Sequence, residues 1–399
     1  MRKWQLFLQV EMMLIALSIA IFTLGFTYLN LLVGGYIIIR TYSNPKIPKK
    51  VFWLFILLLL SGTLISLVKI GQETYGEFYN QTVFFRIRFF WIRILFALSI
   101  CMYLMQLEYR KVLQFVFFIA LPQLVFGVIE LLILREGRIA MLTSEPSAAA
   151  MYYIFLSPLL LEYIRYNPKV KLIVVAYLVV GLFIQSKAQI LVIPILLTYL
   201  IFKSNNLWVK RIFIVAVLLG ILLAPLLLSI DQIDRIVYFL EILRAQGIEG
   251  LTEQNKIWST FTLRFSASIT AFQVFIENIF GAGFGGYHPL FIEKMTSGTI
   301  QSQLTGVEIR ATLNNELYAT PKSIFMEYLT SCGLFFLIPI ILLVRKYILS
   351  TASYFIKASF YMTNIIALMV ELSPFLTFLA VSFVLFSKFK LEEEKAFKI

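Results

Sequence analysis

Long apolar runs follow one another along this chain, separated by short polar turns, and the rhythm breaks once. A helix that crosses a bilayer takes about 20 predominantly apolar residues, and shorter or interrupted ones survive inside a bundle. The pattern therefore predicts spans at residues 5–24, 25–39, 51–69, 84–106, 112–134, 148–164, 171–185, 189–202, 212–230, 322–344, 353–370 and 375–387. Residues 4–39 also fit one long tilted helix. The break is the interval from Asp231 to Pro321, the only long hydrophilic stretch.

Within that interval, Arg264–Gly286 carries a clear helical period. Ser266, Thr270, Gln273 and Glu277 fall on one face, and Phe265, Ile269, Phe272, Ile276 and Ile279 on the opposing one. The helix should end in the glycine cluster that follows, as helices with a glycine C-cap do. Residues 231–246 read as a second amphipathic helix, with Ile233, Ile236, Val237, Leu240 and Leu243 on one side and Gly247 after it. Both fit the membrane surface or a cap over the bundle.

Charge sets the orientation. Arg40/Lys46/Lys49/Lys50, Arg110/Lys111, Arg165/Lys169/Lys171, Lys203/Lys210/Arg211 and Arg345/Lys346 fall in every second loop. The positive-inside rule makes those loops cytoplasmic, provided residues 4–39 cross twice, which puts Arg2 and Lys3 inside as well. Glu371-Leu372-Ser373-Pro374 divides the last apolar run, because proline interrupts a helix, and returns Lys388 and Lys390 to the cytoplasm. The expectation is an all-α, polytopic integral membrane protein of about twelve transmembrane helices, with both termini cytoplasmic. It forms one membrane domain over residues 1–399, with a long extracytoplasmic loop at 231–321 before the last three spans. That loop holds six basic against nine acidic residues, opposite in sign to the cytoplasmic loops.

Composition agrees: 14% of residues are charged, against about 25% in soluble chains. The net charge of +13 does not point to nucleic acid, because no basic block exists and the cations fall between apolar runs. Cys101 and Cys332, far apart in apolar surroundings, offer neither a disulfide framework nor metal-ligand spacing, and a single histidine, His288, excludes a histidine metal cluster. The start, MRKWQLFLQVEMMLIAL, has no A-x-A cleavage site and reads as a retained first helix.

Several residues could carry chemistry. Gly281-Ala282-Gly283-Phe284-Gly285-Gly286 matches G-x-G-x-x-G, but a helix precedes it where a dinucleotide site needs a strand. It is either a flexible turn or a loop whose bare amides, around Gly283 and Gly285, approach a phosphate or sugar. Arg264, on the outer side, either meets phospholipid headgroups or binds a phosphate through two parallel hydrogen bonds. Lys187, between two short spans, either snorkels or serves function, as charges at membrane depth commonly do. Arg86, Arg88 and Arg93 depart from the positive-inside pattern, and Arg86 and Arg93, seven apart, share a helix face. Together these cations could form an outer-leaflet pocket for an anionic, lipid-linked diphosphate. Ser144-Glu145-Pro146-Ser147 is a helix start signal or supplies a carboxylate at the outer surface. Glu327, after Lys322, lies in an apolar setting and needs a partner. His288, beside Pro289, reads as structural or solvated.

Three segments together resemble the O-antigen polymerase/ligase family (Wzy/WaaL-like membrane glycosyltransferases). Leu142-Thr143-Ser144-Glu145-Pro146-Ser147 is similar to the Ser-Glu-Pro-Ser of many polymerases. Arg264 through Gly286 resembles the family's arginine, helix and N-P-L-x-G-x-G-x-G, with Ile279 where proline is usual. Lys322 through Gly333 is similar to H-N-x-x-L-E-x-x-x-E-x-G, which opens a late span. Gln185-Ser186-Lys187 stands where the family often has Ser-Arg. Lys322 occupies the place of the ligases' histidine, which favours a polymerase.

The resemblance implies a metal-independent glycosyltransferase with no cofactor, on the outer face of the cytoplasmic (inner) membrane. It would transfer glycan from undecaprenyl diphosphate to the terminal sugar of another lipid-linked repeat, building O-antigen, capsule or exopolysaccharide. Arg264 and Lys187 would meet the diphosphate with Arg93, Arg86 or Lys322 assisting, and Glu145 or Glu327 would orient or deprotonate the acceptor hydroxyl. Its partners would be the lipid-linked oligosaccharide, the bilayer, and a chain-length regulator and flippase of the same pathway. The alternatives are a ligase passing finished glycan to lipid A core or another acceptor, and, in another class, a transporter or flippase of lipid-linked sugar. Against the transporter, no second half matches the first.

Overall fold

The computed structural model describes residues 2–203, 259–297 and 321–396, apart from a few loop positions within them, together with isolated positions between 241 and 245. Among the described residues the secondary structure is helical, with no strand. The helices are α1 (Arg2–Ala20), α2 (Thr27–Thr41), α3 (Lys49–Val68), α4 (Gly76–Gln106), α5 (Tyr109–Leu132), α6 (Pro146–Tyr166), α7 (Lys171–Gly181) and α8 (Lys187–Lys203). They continue with α9 (Ser259–Glu277), α10 (Tyr287–Ser297), α11 (Ile324–Cys332), α12 (Leu334–Ile348), α13 (Tyr354–Ala367) and α14 (Phe375–Ala396). Four of them are long and apolar enough to cross a membrane, at Val51–Val68, Thr82–Gln106, Tyr109–Leu132 and Pro146–Tyr166. The expected span at 212–230 and the amphipathic helix at 231–246 lie outside the described residues, save the isolated positions already named.

The chain forms two compact units. The first takes in Met1–Phe55, Trp91–Phe213 and Ile341–Ile399; the second, Ile56–Phe90 and Ile214–Ile340.

In the first unit, residues 4–39 form two helices rather than one. The Tyr36 hydroxyl donates to Glu11 Oε1 at 2.7 Å and Arg40 Nε lies 3.4 Å from the same oxygen, contacts that require α2 to fold back on α1. Helix α6 is the central element. Its Ala148, Ala149 and Ala150 are fully buried, and small side chains let neighbouring backbones approach without lipid between them. Phe155 stacks on Phe378 at 4.1 Å, Ser359 Oγ donates to Phe155 O at 2.7 Å, and Gln123 Nε2 donates to Ala20 O at 3.0 Å. Glu162, 0% exposed, accepts from Tyr109 Oη at 3.1 Å and Ser353 Oγ at 2.9 Å and pairs with Arg165 at 3.1 Å. A buried carboxylate is tolerable only with such partners. The break at Glu371–Pro374 falls as expected, with α13 ending at Ala367 and α14 starting at Phe375.

The second unit departs from expectation at the run 322–344, which is two helices, α11 and α12, because Gly333 between them adopts φ +56°. Helix α9 carries the expected period, and the structure supplies the rotation that the sequence leaves open. Its buried face is Ala267, Thr270, Ala271 and Val274, packed with Ala282, Tyr287, Phe291 and Met295. The large apolar stripe faces outward, with Phe272 49% and Ile276 53% exposed, whereas Ala271 and Thr270 are 0% exposed. Small residues inside and large apolar ones outside is the pattern of a helix against lipid, where hydrophobicity no longer selects the packing face. Lys294 of α10 pairs with Glu277 at 2.7 Å, fastening the end of α9, and the hydrogen bond to that carboxylate holds the amine above its usual range.

This rotation has a direct test at adjacent positions. Ala271→Leu should destabilise the protein by about 1–3 kcal/mol through overpacking, and Phe272→Leu by less than about 0.5 kcal/mol, read by thermal unfolding in detergent. The reverse order would turn the helix the other way.

Candidate functional site

The second unit converges on the glycine turn after α9. Glycines 281, 283 and 285 have φ of +102°, +84° and +84°. The turn needs glycine at 283 for two reasons at once: a side chain is strained at that φ, and a Cβ there would lie 2.7 Å from Ser66 N on α3. At Gly281 a Cβ would meet Ser331 O at 2.4 Å, and at Gly333 it would meet Ile279 O at 2.2 Å. The segments on either side are locked by backbone bonds: Ala282 N to Thr330 O at 2.7 Å, Gly283 N to Ser331 O at 2.9 Å, Leu334 N to Ile279 O at 2.8 Å and Phe284 N to Gly62 O at 3.2 Å.

These bonds correct the expectation of bare amides. The amides of Gly281, Ala282, Gly283, Phe284 and Gly286 all donate to carbonyls of the chain itself. The turn is a joint holding α3, α9 and α11 together, and Arg86 lies beside it. A Cβ on Gly285 would lie 2.9 Å from Arg86 Cδ, so the missing side chain is what lets the arginine cross the turn. Phe90, one helical turn further along α4, stacks on Phe284 at 4.4 Å and meets Tyr328 edge-on at 5.5 Å.

Glu327 joins the same cluster. Ser323 caps α11, accepting from Met326 N at 3.2 Å, which puts Glu327 in the first turn, where a carboxylate is favoured. It is 9% exposed and accepts a hydrogen bond from Tyr287 Oη at 3.2 Å. Next to it, His288 is 2% exposed and stacks on Tyr287 at 4.8 Å, so the histidine read as structural or solvated is a buried member of this group. Lys322, half-buried and with φ +55°, starts the α11 turn in a conformation that costs a non-glycine residue about 1–2 kcal/mol. Arg264 lies in the second turn of α9, which begins earlier than expected, at Ser259, and is half-buried.

The remaining predicted residues belong to the first unit. Glu145 is the N-cap of α6 and accepts a short hydrogen bond from Ser147 Oγ. The loop before it is fixed by Glu130, whose Oε2 takes the amides of Ala140 at 2.8 Å and Met141 at 2.9 Å. Glu130 is a positioning residue that periodicity does not reveal, since it sits in the last turn of an apolar helix. Lys187 is the first residue of α8, against the sign preferred at a helix start, and Gln189 Nε2 ties that end to Gly181 O at 2.7 Å. Arg93 is buried on α4. Arg88, in the second unit, lies over the Phe85 ring at 5.3 Å.

No protein-family model, no curated protein and no solved structure matches the chain.

Two substitutions probe the joint. Gly283→Ala should cost about 2 kcal/mol or more, because strain and a backbone clash coincide. Tyr287→Phe should cost about 1.5–3 kcal/mol by removing a donor from a carboxylate. Thermal unfolding in detergent checks both, and an unchanged Gly283→Ala midpoint would contradict the close approach to Ser66.

Proposed function

We propose that the protein is a polymerase of lipid-linked oligosaccharide repeat units, acting at the outer face of the cytoplasmic membrane with about twelve spans and both termini inside. Convergence carries the reading: the glycine turn, Arg86 and Glu327, from three separate stretches of sequence, meet in one cluster beside His288 and Tyr287. The glycine turn and Glu327 belong to two of the three segments on which the resemblance to O-antigen polymerases and ligases rests, and the four long apolar helices fit a membrane setting.

In this reaction the acceptor hydroxyl oxygen attacks the anomeric carbon of the donor. The bond from that carbon to the diphosphate oxygen breaks, and the diphosphate leaves with the electron pair. Cations preorganised at the leaving oxygens stabilise the charge that develops there. Within the second unit, Arg264 takes that role, with Arg86 and Lys322 assisting. Glu327, held by Tyr287, orients the acceptor hydroxyl and takes its proton.

Deleting the gene and examining surface glycan tests the proposal. A polymerase predicts single-repeat glycan in place of the long ladder, whereas undiminished chain lengths would sink it. A ligase would leave long polymer on the carrier lipid, and a flippase would trap single repeats facing the cytoplasm. Complementation with Arg264→Ala, inserted at normal levels, should lower polymerisation by roughly 100-fold or more; wild-type ladders would remove Arg264 from the site.

A further inference from the structure

Two arginines in the first unit are held in place without being used up. Arg165, in the last turn of α6, puts Nη1 3.1 Å from Glu162 Oε2, yet its side chain stays 60% exposed. Glu162 is itself fixed, because Tyr109 and Ser353 donate to it. Arg110, exposed at the start of α5, lies over the Tyr166 ring at 5.3 Å, and Tyr166 meets Tyr109 edge-on at 5.6 Å. These contacts bring the start of α5 against the end of α6. A guanidinium carries five donors, so one carboxylate contact or one ring face leaves most of them open.

Charge at this end has one dominant sign. Among the described side chains here, Arg110, Arg165, Lys169 and Lys171 are exposed, against the exposed carboxylate of Glu108. Helices α5 and α7 both begin at this end, and the positive ends of their dipoles add to the attraction for an anion.

Beside these cations runs an apolar groove. Phe117, Ala120 and Leu124 of α5, Leu160 of α6, and Val174 and Tyr177 of α7 line it. Leu160 stands five residues before Arg165 and Val174 three after Lys171, so the groove begins about one helical turn from the charges. Around it, Val125 and Phe126 of α5 and Leu172 and Val175 of α7 are exposed. Large apolar side chains turned outward on helices of span length make a lipid-facing surface. An apolar groove with basic residues at its mouth matches a phospholipid in both parts, chain and phosphate.

We propose that α5, α6 and α7 form a binding site for an anionic glycerophospholipid, with an acyl chain in the groove and the phosphate at Arg110 and Arg165. With both termini inside, this end is cytoplasmic. The site stands apart from the polymerase reading and involves no lipid-linked sugar. Arginine suits the role because its planar fork meets phosphate oxygens through directed, charge-assisted hydrogen bonds.

The test follows thermal stabilisation of the purified full-length protein in uncharged detergent. The probes are dioleoyl phosphatidylglycerol, dioleoyl phosphatidylcholine and glycerol 3-phosphate. Phosphatidylglycerol should act at a concentration about tenfold below phosphatidylcholine, the equivalent of one charged contact. Glycerol 3-phosphate, which has no chain, should not stabilise at that concentration. Arg110→Gln and Arg165→Gln should each remove most of the preference for phosphatidylglycerol, and Ala120→Leu, which fills the groove, should weaken both phospholipids. Arg165→Gln also unbalances Glu162, so Arg110→Gln decides the matter if that variant does not fold. Equal stabilisation of the wild type by the two phospholipids, or a preference unchanged in Arg110→Gln, overturns the site. Glycerol 3-phosphate acting as strongly as phosphatidylglycerol overturns the lipid assignment in favour of a free phosphate.

Discussion

Interrupting a helix inside an apolar region releases backbone groups that water cannot reach, and the second unit depends on how those groups are paired. Gly333 ends α11 and frees the carbonyls of Thr330 and Ser331. The chain after α9 passes close enough to give them the amides of Ala282 and Gly283, and Ile279 O takes Leu334 N in return. Non-helical backbone shielded from water survives where protein pairs it in this way. The exchange needs two chains at backbone contact distance, which is why glycine stands at both Gly281 and Gly333. Arg86, Glu327, Tyr287 and His288 take their positions from this lock.

The first unit meets the same constraint with side chains. Glu162 collects two hydroxyl donors and a guanidinium, Glu11 a hydroxyl and a guanidinium, and Lys388 Nζ reaches Met105 O at 2.8 Å. Apart from the Glu162–Arg165 pair within α6, each pairing joins separate helices. Their net worth is modest, because pairing mainly recovers what desolvation took. What they add is register: a slipped helix would leave a buried charge alone, a far larger penalty than a lost apolar contact.

Helix existence was readable because apolar runs of span length have few other folds. The runs at 112–134 and 148–164 correspond closely to α5 and α6, and the Pro374 break separates α13 from α14. Rotation was not readable. Helix α9 shows its period plainly, yet the sequence could not say that Ala267 and Ala271 rather than Phe272 and Ile276 face inward, because lipid accepts large apolar side chains as readily as a core does. Gly333 was visible as a residue but not as a break, since glycine is common within membrane helices. Glu327 announced its need for a partner without naming Tyr287, forty residues away.

Backbone conformation adds a signal of its own. Among the described non-glycine residues, positive φ occurs at Met141, Leu142 and Lys322, and each precedes a helix that carries a candidate carboxylate in or beside its first turn. Left-handed conformation costs about 1–2 kcal/mol at such residues, and nothing about starting a helix requires it. Glu130 compensates at Met141 by taking two amides, and the Ser323 cap compensates after Lys322. At Met141 packing also accounts for the larger side chain, which is fully buried and would lie 3.2 Å from a Cβ on Gly127. At Lys322 the strain falls just before the turn that carries Glu327, and strain beside such a group is where function is expected.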